Sequence, residues 1–120
     1  MKIAVTAQGK TLTDPVDPRF GRAKYFIIID PDTGAFEVKD NQAGVDAAQG
    51  AGIQAAEAMS AAGVQAVLTG HCGPKAFRAL SAAGIKVYIG VEGTVQEAVE
   101  KFKAGSLKPA TKADVQGHWW

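Results

Sequence analysis

The sequence predicts an α/β domain built on a mixed five-stranded sheet with helices on its faces. Three observations predict it. Short apolar runs bounded by glycines alternate with segments of helical period from residue 50 onward, and strand–helix–strand repeats of that kind force parallel pairing with right-handed crossovers. Ahead of them, two apolar segments flank Pro31-Asp32-Thr33-Gly34, a turn by residue type, and so predict a hairpin. Finally, 120 residues with 47% hydrophobic content suit one domain with a buried core.

The elements follow in order. Lys2–Ala7 is an apolar run that suits a buried strand. Gln8–Lys24 is a polar loop, and a connection that long inside a compact domain is usually functional. Tyr25–Asp30 carries the strongest strand signal, and Phe36 and Val38 alternate with Glu37 and Lys39 in a half-exposed partner strand. Asn41–Gly52 reads as a loop leading into an Ala-rich helix with Ile53, Ala56 and Met59 at helical spacing, stopped by Gly63. Val64–Thr69 and Ile85–Ile89 are further buried strands. Between them Pro74 opens a helix whose apolar face carries Phe77 and Leu80, and Gly84 ends it. Thr94-Val95-Gln96-Glu97 matches a capping box, with Val95, Ala98, Val99 and Phe102 on one face. The predicted domain spans residues 1–105. Residues 106–120 show no periodicity and read as a tail, ending in Gly117-His118-Trp119-Trp120.

Composition narrows the function. Lys+Arg 13 against Asp+Glu 12 gives a formal net charge of +1, without the basic excess of a nucleic-acid-binding domain. One cysteine excludes an internal disulfide and a zinc finger. No segment approaches a membrane span or a signal peptide, so the expectation is a cytoplasmic protein. The opening strand lacks the carboxylates a metal-dependent nuclease needs at its strand ends.

The topology places the loops Gln8–Lys24, Asn41–Gly50, Gly70–Lys75 and Gly90–Thr94 at one end of the sheet, where open α/β sheets bind ligands. The first holds Arg19-Phe20-Gly21-Arg22-Ala23-Lys24, three cations around a glycine, which would suit an anion; the alternative is that Phe20 plugs the core and the arginines are solvated. Gly70-His71-Cys72-Gly73-Pro74-Lys75 follows a strand and opens a helix, where free N–H groups and the helix dipole favour negative charge. His71 and Cys72 supply a borderline and a soft donor for a thiophilic metal such as copper, or else a buried thiol beside a hydrogen-bonded histidine. A Cys72–His71 nucleophile lacks an evident orienting group, so catalysis is the weaker reading.

These residues also carry a resemblance. Ile3-Ala4-Val5-Thr6, Asp17-Pro18-Arg19-Phe20-Gly21-Arg22-Ala23, Gly50-Ala51-Gly52-Ile53, Leu68-Thr69-Gly70, Gly73-Pro74-Lys75-Ala76-Phe77 and Ala83-Gly84-Ile85-Lys86-Val87, in that order, resemble the dinitrogenase iron–molybdenum cofactor biosynthesis family over roughly residues 2 to 105. The resemblance implies a three-layer α/β/α, ribonuclease H-like fold without nuclease carboxylates. It implies a binding or carrier protein for a preformed metal–sulfide cluster, of the anionic molybdenum–copper type held without covalent attachment, or alternatively an iron–molybdenum–sulfur cluster. Protein partners in cluster assembly or delivery follow from the same resemblance. A regulatory or interaction module without a cluster is the competing reading, motivated by the tail tryptophans.

Overall fold

The computed structural model describes residues 1–47 and 50–112. Five strands form one sheet: β1 (Ile3–Ala7), β2 (Tyr25–Ile29), β3 (Phe36–Asp40), β4 (Ala66–Leu68) and β5 (Lys86–Tyr88). Their spatial order is β3-β2-β1-β4-β5, with β1 antiparallel to β2, β2 antiparallel to β3, and β4 parallel to both β1 and β5. The expected mixed sheet is what forms. Helices α1 (Gln42–Asp46), α2 (Ala51–Ala61), α3 (Pro74–Ala82) and α4 (Val95–Lys103) connect or follow the strands.

Period-two alternation divides the strand side chains between two cores. On one face Ala4, Phe26, Ile28, Val67 and Val87 meet Ala55, Ala56 and Met59 of α2 and Ala76 and Leu80 of α3. On the other, Ile3, Val5, Ile27, Ile29, Leu68 and Tyr88 meet Val95, Ala98 and Val99 of α4. Tyr88 there takes an edge-on contact from Phe102, ring centroids 5.4 Å apart. Both faces are covered, one by two helices and the other by one.

Four details differ from the sequence reading. Part of the Asn41–Gly52 loop is helical, because α1 packs Gly44 so tightly that a methyl there would lie 2.5 Å from the Gly21 carbonyl oxygen. Five residues with an internal glycine give no periodic signal. In α2 the buried stripe is Ala51, Ala55, Ala56 and Met59, while Ile53 is 37% exposed; alanine lets α2 approach α3 closely, so the small residues form the seam. β3 is exposed along its whole length, since no helix among the described residues reaches over its end of the sheet. Residues after Ser106 are not all tail: Leu107 packs against the α4-side core, and the Ala110 N–H donates to the Val87 carbonyl at 2.7 Å on the outer edge of β5. Trp119 and Trp120 lie outside the described residues. Among the described residues no helix is long and apolar enough to cross a membrane.

Candidate functional site

β1, β4 and β5 all end at the same side of the sheet, and their loops interlock there. Pro18–Phe20 runs beside Gly70 and His71: the His71 N–H donates to the Pro18 carbonyl at 2.7 Å and the Phe20 N–H to the His71 carbonyl at 3.2 Å. Such close approach requires glycine, for a methyl on Gly70 would sit 2.7 Å from the Pro18 Cα. Below them, the buried Thr6 hydroxyl bonds with the Asp17 carbonyl at 2.7 Å and the Thr69 hydroxyl at 2.9 Å, tying β1, β4 and the first loop together.

Downstream the loop leans on α2. A methyl on Gly21 would meet the Gly52 backbone nitrogen at 2.7 Å, and one on Gly52 would meet the Ala76 Cβ at 2.9 Å. The N-termini of α2 and α3 therefore open side by side next to residues 18–24. Neither helix has a side-chain cap or an acidic residue in its first turn. Their first-turn N–H groups have no partner within the helix, and the dipoles add positive potential at the same place.

The predicted residues take distinct places in this frame. Phe20 is fully buried, its ring 5.7 Å from that of Phe26, so it plugs the core as the alternative reading had it. Ala23 is also buried. Arg19 is half-exposed; its N–H and its Nε reach the buried Asp17 carboxylate at 3.0 and 3.9 Å, which offsets part of its charge. Arg22 is half-buried and donates to the Ala47 carbonyl at 2.7 Å, linking the first loop to the end of α1. Lys24 and Lys75 are exposed, Lys75 in the first turn of α3. Gly70 and Gly73 are buried, whereas His71 and Pro74 are half-buried. Cys72 has no exposed surface; it belongs to the core on the α2–α3 side, with Sγ 3.7 Å from the Gly73 carbonyl oxygen. Direct ligation through Cys72 would need the Gly70–Gly73 segment to open. Among the described residues no three His, Cys, Asp or Glu side chains converge as ligands for a bare ion.

The sequence leaves one contributor unmarked and marks another only weakly. Asn41 donates its amide to the Gly21 and Ala23 carbonyls at 3.1 and 2.8 Å, fixing the curve of the cationic loop. Its position just past a strand and before a glycine-rich stretch is the signal that could have marked it. The N-terminus of α2 is the other; Gly50-Ala51-Gly52 alone is too common a pattern to identify it.

On the other face of the same end lies a cleft of about 420 Å³ lined by Pro15, Val16, Pro18, Val91, Glu92, Gly93, Thr94 and Glu97. It holds carboxylates and no cation. Glu97 completes the capping box of α4, accepting from the Thr94 N–H at 2.9 Å while the Glu97 N–H donates to the Thr94 hydroxyl at 3.1 Å. The Thr94 N–H, with the Thr94 side chain, holds the Glu97 carboxyl below its ordinary pKa. Asp14, bonded by the Thr11 hydroxyl and then its backbone N–H, is lowered likewise.

A family model described as dinitrogenase iron–molybdenum cofactor matches residues 1–105. The apo form of the orange protein from Desulfovibrio gigas is 47% identical, with a TM-score of 0.93 over 95% of this chain and 96% of that one. A Thermotoga protein assigned as a NifB protein is 38% identical, with a TM-score of 0.82 over 97% and 98%. An uncharacterized protein of Methanocaldococcus jannaschii is 28% identical over 110 residues, 90% of each chain. The fold is shared with the two solved structures, and this chain belongs to the dinitrogenase iron–molybdenum cofactor family.

Proposed function

We propose that the protein is a non-catalytic carrier of an anionic, molybdenum-containing metal–sulfide cluster. The cluster sits against the adjoining N-termini of α2 and α3 and is ringed by Arg19, Arg22, Lys24 and Lys75. One observation carries the reading: two neighbouring helix N-termini, both without caps or acidic first turns, open beside a cation-bearing loop held in place by Asn41. A preformed cluster already has its metals saturated by sulfide, so what it needs from protein is charge neutralisation, N–H donors and a dry wall. Phe20 and Cys72 lie in the core behind that wall, and the Gly21 and Gly70 backbones let the loops close to their observed spacing. Family membership and the likeness to the orange protein support a molybdenum–copper sulfide as cargo, with an iron–molybdenum–sulfur cluster as the alternative. A carrier of this kind works between a donor and a recipient protein, and the cytoplasm suits such traffic.

In this reading His71 belongs to the wall and Cys72 to the core behind it, and neither is a metal ligand. If they were metal ligands, replacing either would strip the cluster from the protein. Incubating the apo-protein with tetrathiomolybdate and copper, then desalting, tests the proposal. A coloured species retained at a fixed metal-to-protein ratio is expected; colour that elutes with the salt would refute it.

A further inference from the structure

The two edges of the sheet are treated differently. The outer edge of β5 accepts a hydrogen bond from Ala110, with Leu107 packed beside it. β3 at the opposite edge is exposed at all five residues, including Phe36 at 46% and Val38 at 37%. The backbone direction along β3 follows from its ladder. The Asp30 N–H donates to the Ala35 carbonyl and the Asn41 N–H to the Lys24 carbonyl, bracketing a regular antiparallel register in which Ile28 faces Glu37 and Phe26 faces Lys39. In such a ladder, hydrogen-bonded pairs recur every second residue. Ala35, Glu37, Lys39 and Asn41 therefore point their N–H and C=O groups at β2, while Phe36, Val38 and Asp40 point theirs outward. Exposed edges of this kind are templates for another strand.

We propose that the occupant of this edge is a second copy of the same strand, paired antiparallel across a two-fold axis at Val38. Self-complementarity of charge selects it. With Val38 opposite Val38 of the second copy, the outward backbone groups meet, and Glu37 of each copy faces Lys39 of the other. These pairs fall at the non-hydrogen-bonded positions, where side chains approach most closely. Sliding the pairing so that Phe36 opposes Val38 would set Glu37 against its own copy. Sliding it the other way would set Lys39 against its own copy. On the opposite face Val38 meets its own copy beside Ile27, its partner on β2, while each Phe36, beside Ile29, faces Asp40 of the other copy, so the apolar contact is confined to the centre of the pairing. Pairing one short strand buries little surface, so the association is weak and concentration-dependent.

Sedimentation equilibrium of the full chain, from micromolar to millimolar, tests this together with Glu37→Lys and Lys39→Glu. Both side chains are exposed, so the fold is unaffected, and circular dichroism checks that. The wild-type mass should rise toward the dimer. Each single reversal should weaken association by about tenfold or more, because two attractive cross-strand pairs become repulsive. An equimolar mixture of the two variants should associate again, since every facing pair is then opposite in charge. A wild-type mass independent of concentration, single variants that associate as well as wild type, or a mixture that stays monomeric would each overturn the proposal.

Discussion

Three helices begin at the same end of the sheet, yet they treat their exposed N–H groups in opposite ways. α4 satisfies its own: Thr94 and Glu97 close a reciprocal box, and Glu97 places a carboxylate on the positive end of the dipole. α2 and α3, on the other face, begin with Gly50 and Gly73, which offer no side-chain acceptor, and carry no acid in the first turn. On the side of the second pair Arg22 donates to the Ala47 carbonyl and Lys75 stands in the first turn of α3, whereas carboxylates line the cleft beside α4. A helix N-terminus without a cap leaves N–H groups that an anion can use, whereas a capped one satisfies them from within; that contrast is what the proposed cluster site rests on.

Breaking the open half should have the largest effect. Replacing Arg22 and Lys75 together with Ala removes two charges from the rim, each worth about 1.5–3 kcal/mol as a charged hydrogen-bond partner. Cluster affinity measured by competition with free chelator should fall by about a hundredfold or more, with the thermal midpoint lowered only by loss of the Arg22–Ala47 bond. Arg19→Ala should cost less, because Asp17 already offsets part of that charge. Cys72→Ala sharpens the distinction between wall and ligand. Truncating a fully buried thiol should lower stability by roughly 1–2 kcal/mol in denaturant titration, while the metal-to-protein ratio after desalting stays at the wild-type value.

The capped half should respond in stability alone. Thr94→Ala should cost about 1 kcal/mol of unfolding free energy and leave cluster retention untouched. The smallest effect concerns pH. Asp14 and Glu97 have depressed pKa values in the folded state, so the stability they add is present above the ordinary carboxylate pKa of the unfolded chain. It is lost as pH falls through the lower folded values. Thermal midpoints should be flat in this respect above the carboxylate range and fall below it, and Glu97→Gln with Asp14→Asn should flatten that fall.

Much of this was legible in the chain. Strand–helix alternation and the Pro-Asp-Thr-Gly turn predict the sheet, and Thr94-x-x-Glu97 predicts the capped helix, because each is a local pattern with a local cause. The clustering of loops 8–24 and 70–75 followed from strand direction alone. What escaped depends on contacts between distant segments. The place of Asn41 just past a strand hints at a role, but only the folded chain brings its amide to the Gly21 and Ala23 carbonyls, and α1 is too short to show a period. Ile53 is the largest apolar residue of its helix and yet faces out, because α2 packs on α3 through alanine and glycine. The full exposure of β3 was hidden for a similar reason: alternation marks a strand with two unlike faces, but how far a neighbouring helix reaches is a property of the assembled fold.

The most direct measurement is a map of backbone amide resonances as the apo-protein takes up the molybdenum–copper sulfide cluster. The N–H groups of residues 19–24, 51–53, 71–73, 75 and 76 should shift together and saturate at one stoichiometry, while those of the turn at 32–34 and of the capped start of α4 stay in place. Shifts centred instead on the Pro15–Glu97 cleft, or spread over the whole sheet without saturation, would contradict a cluster site at the open helix pair.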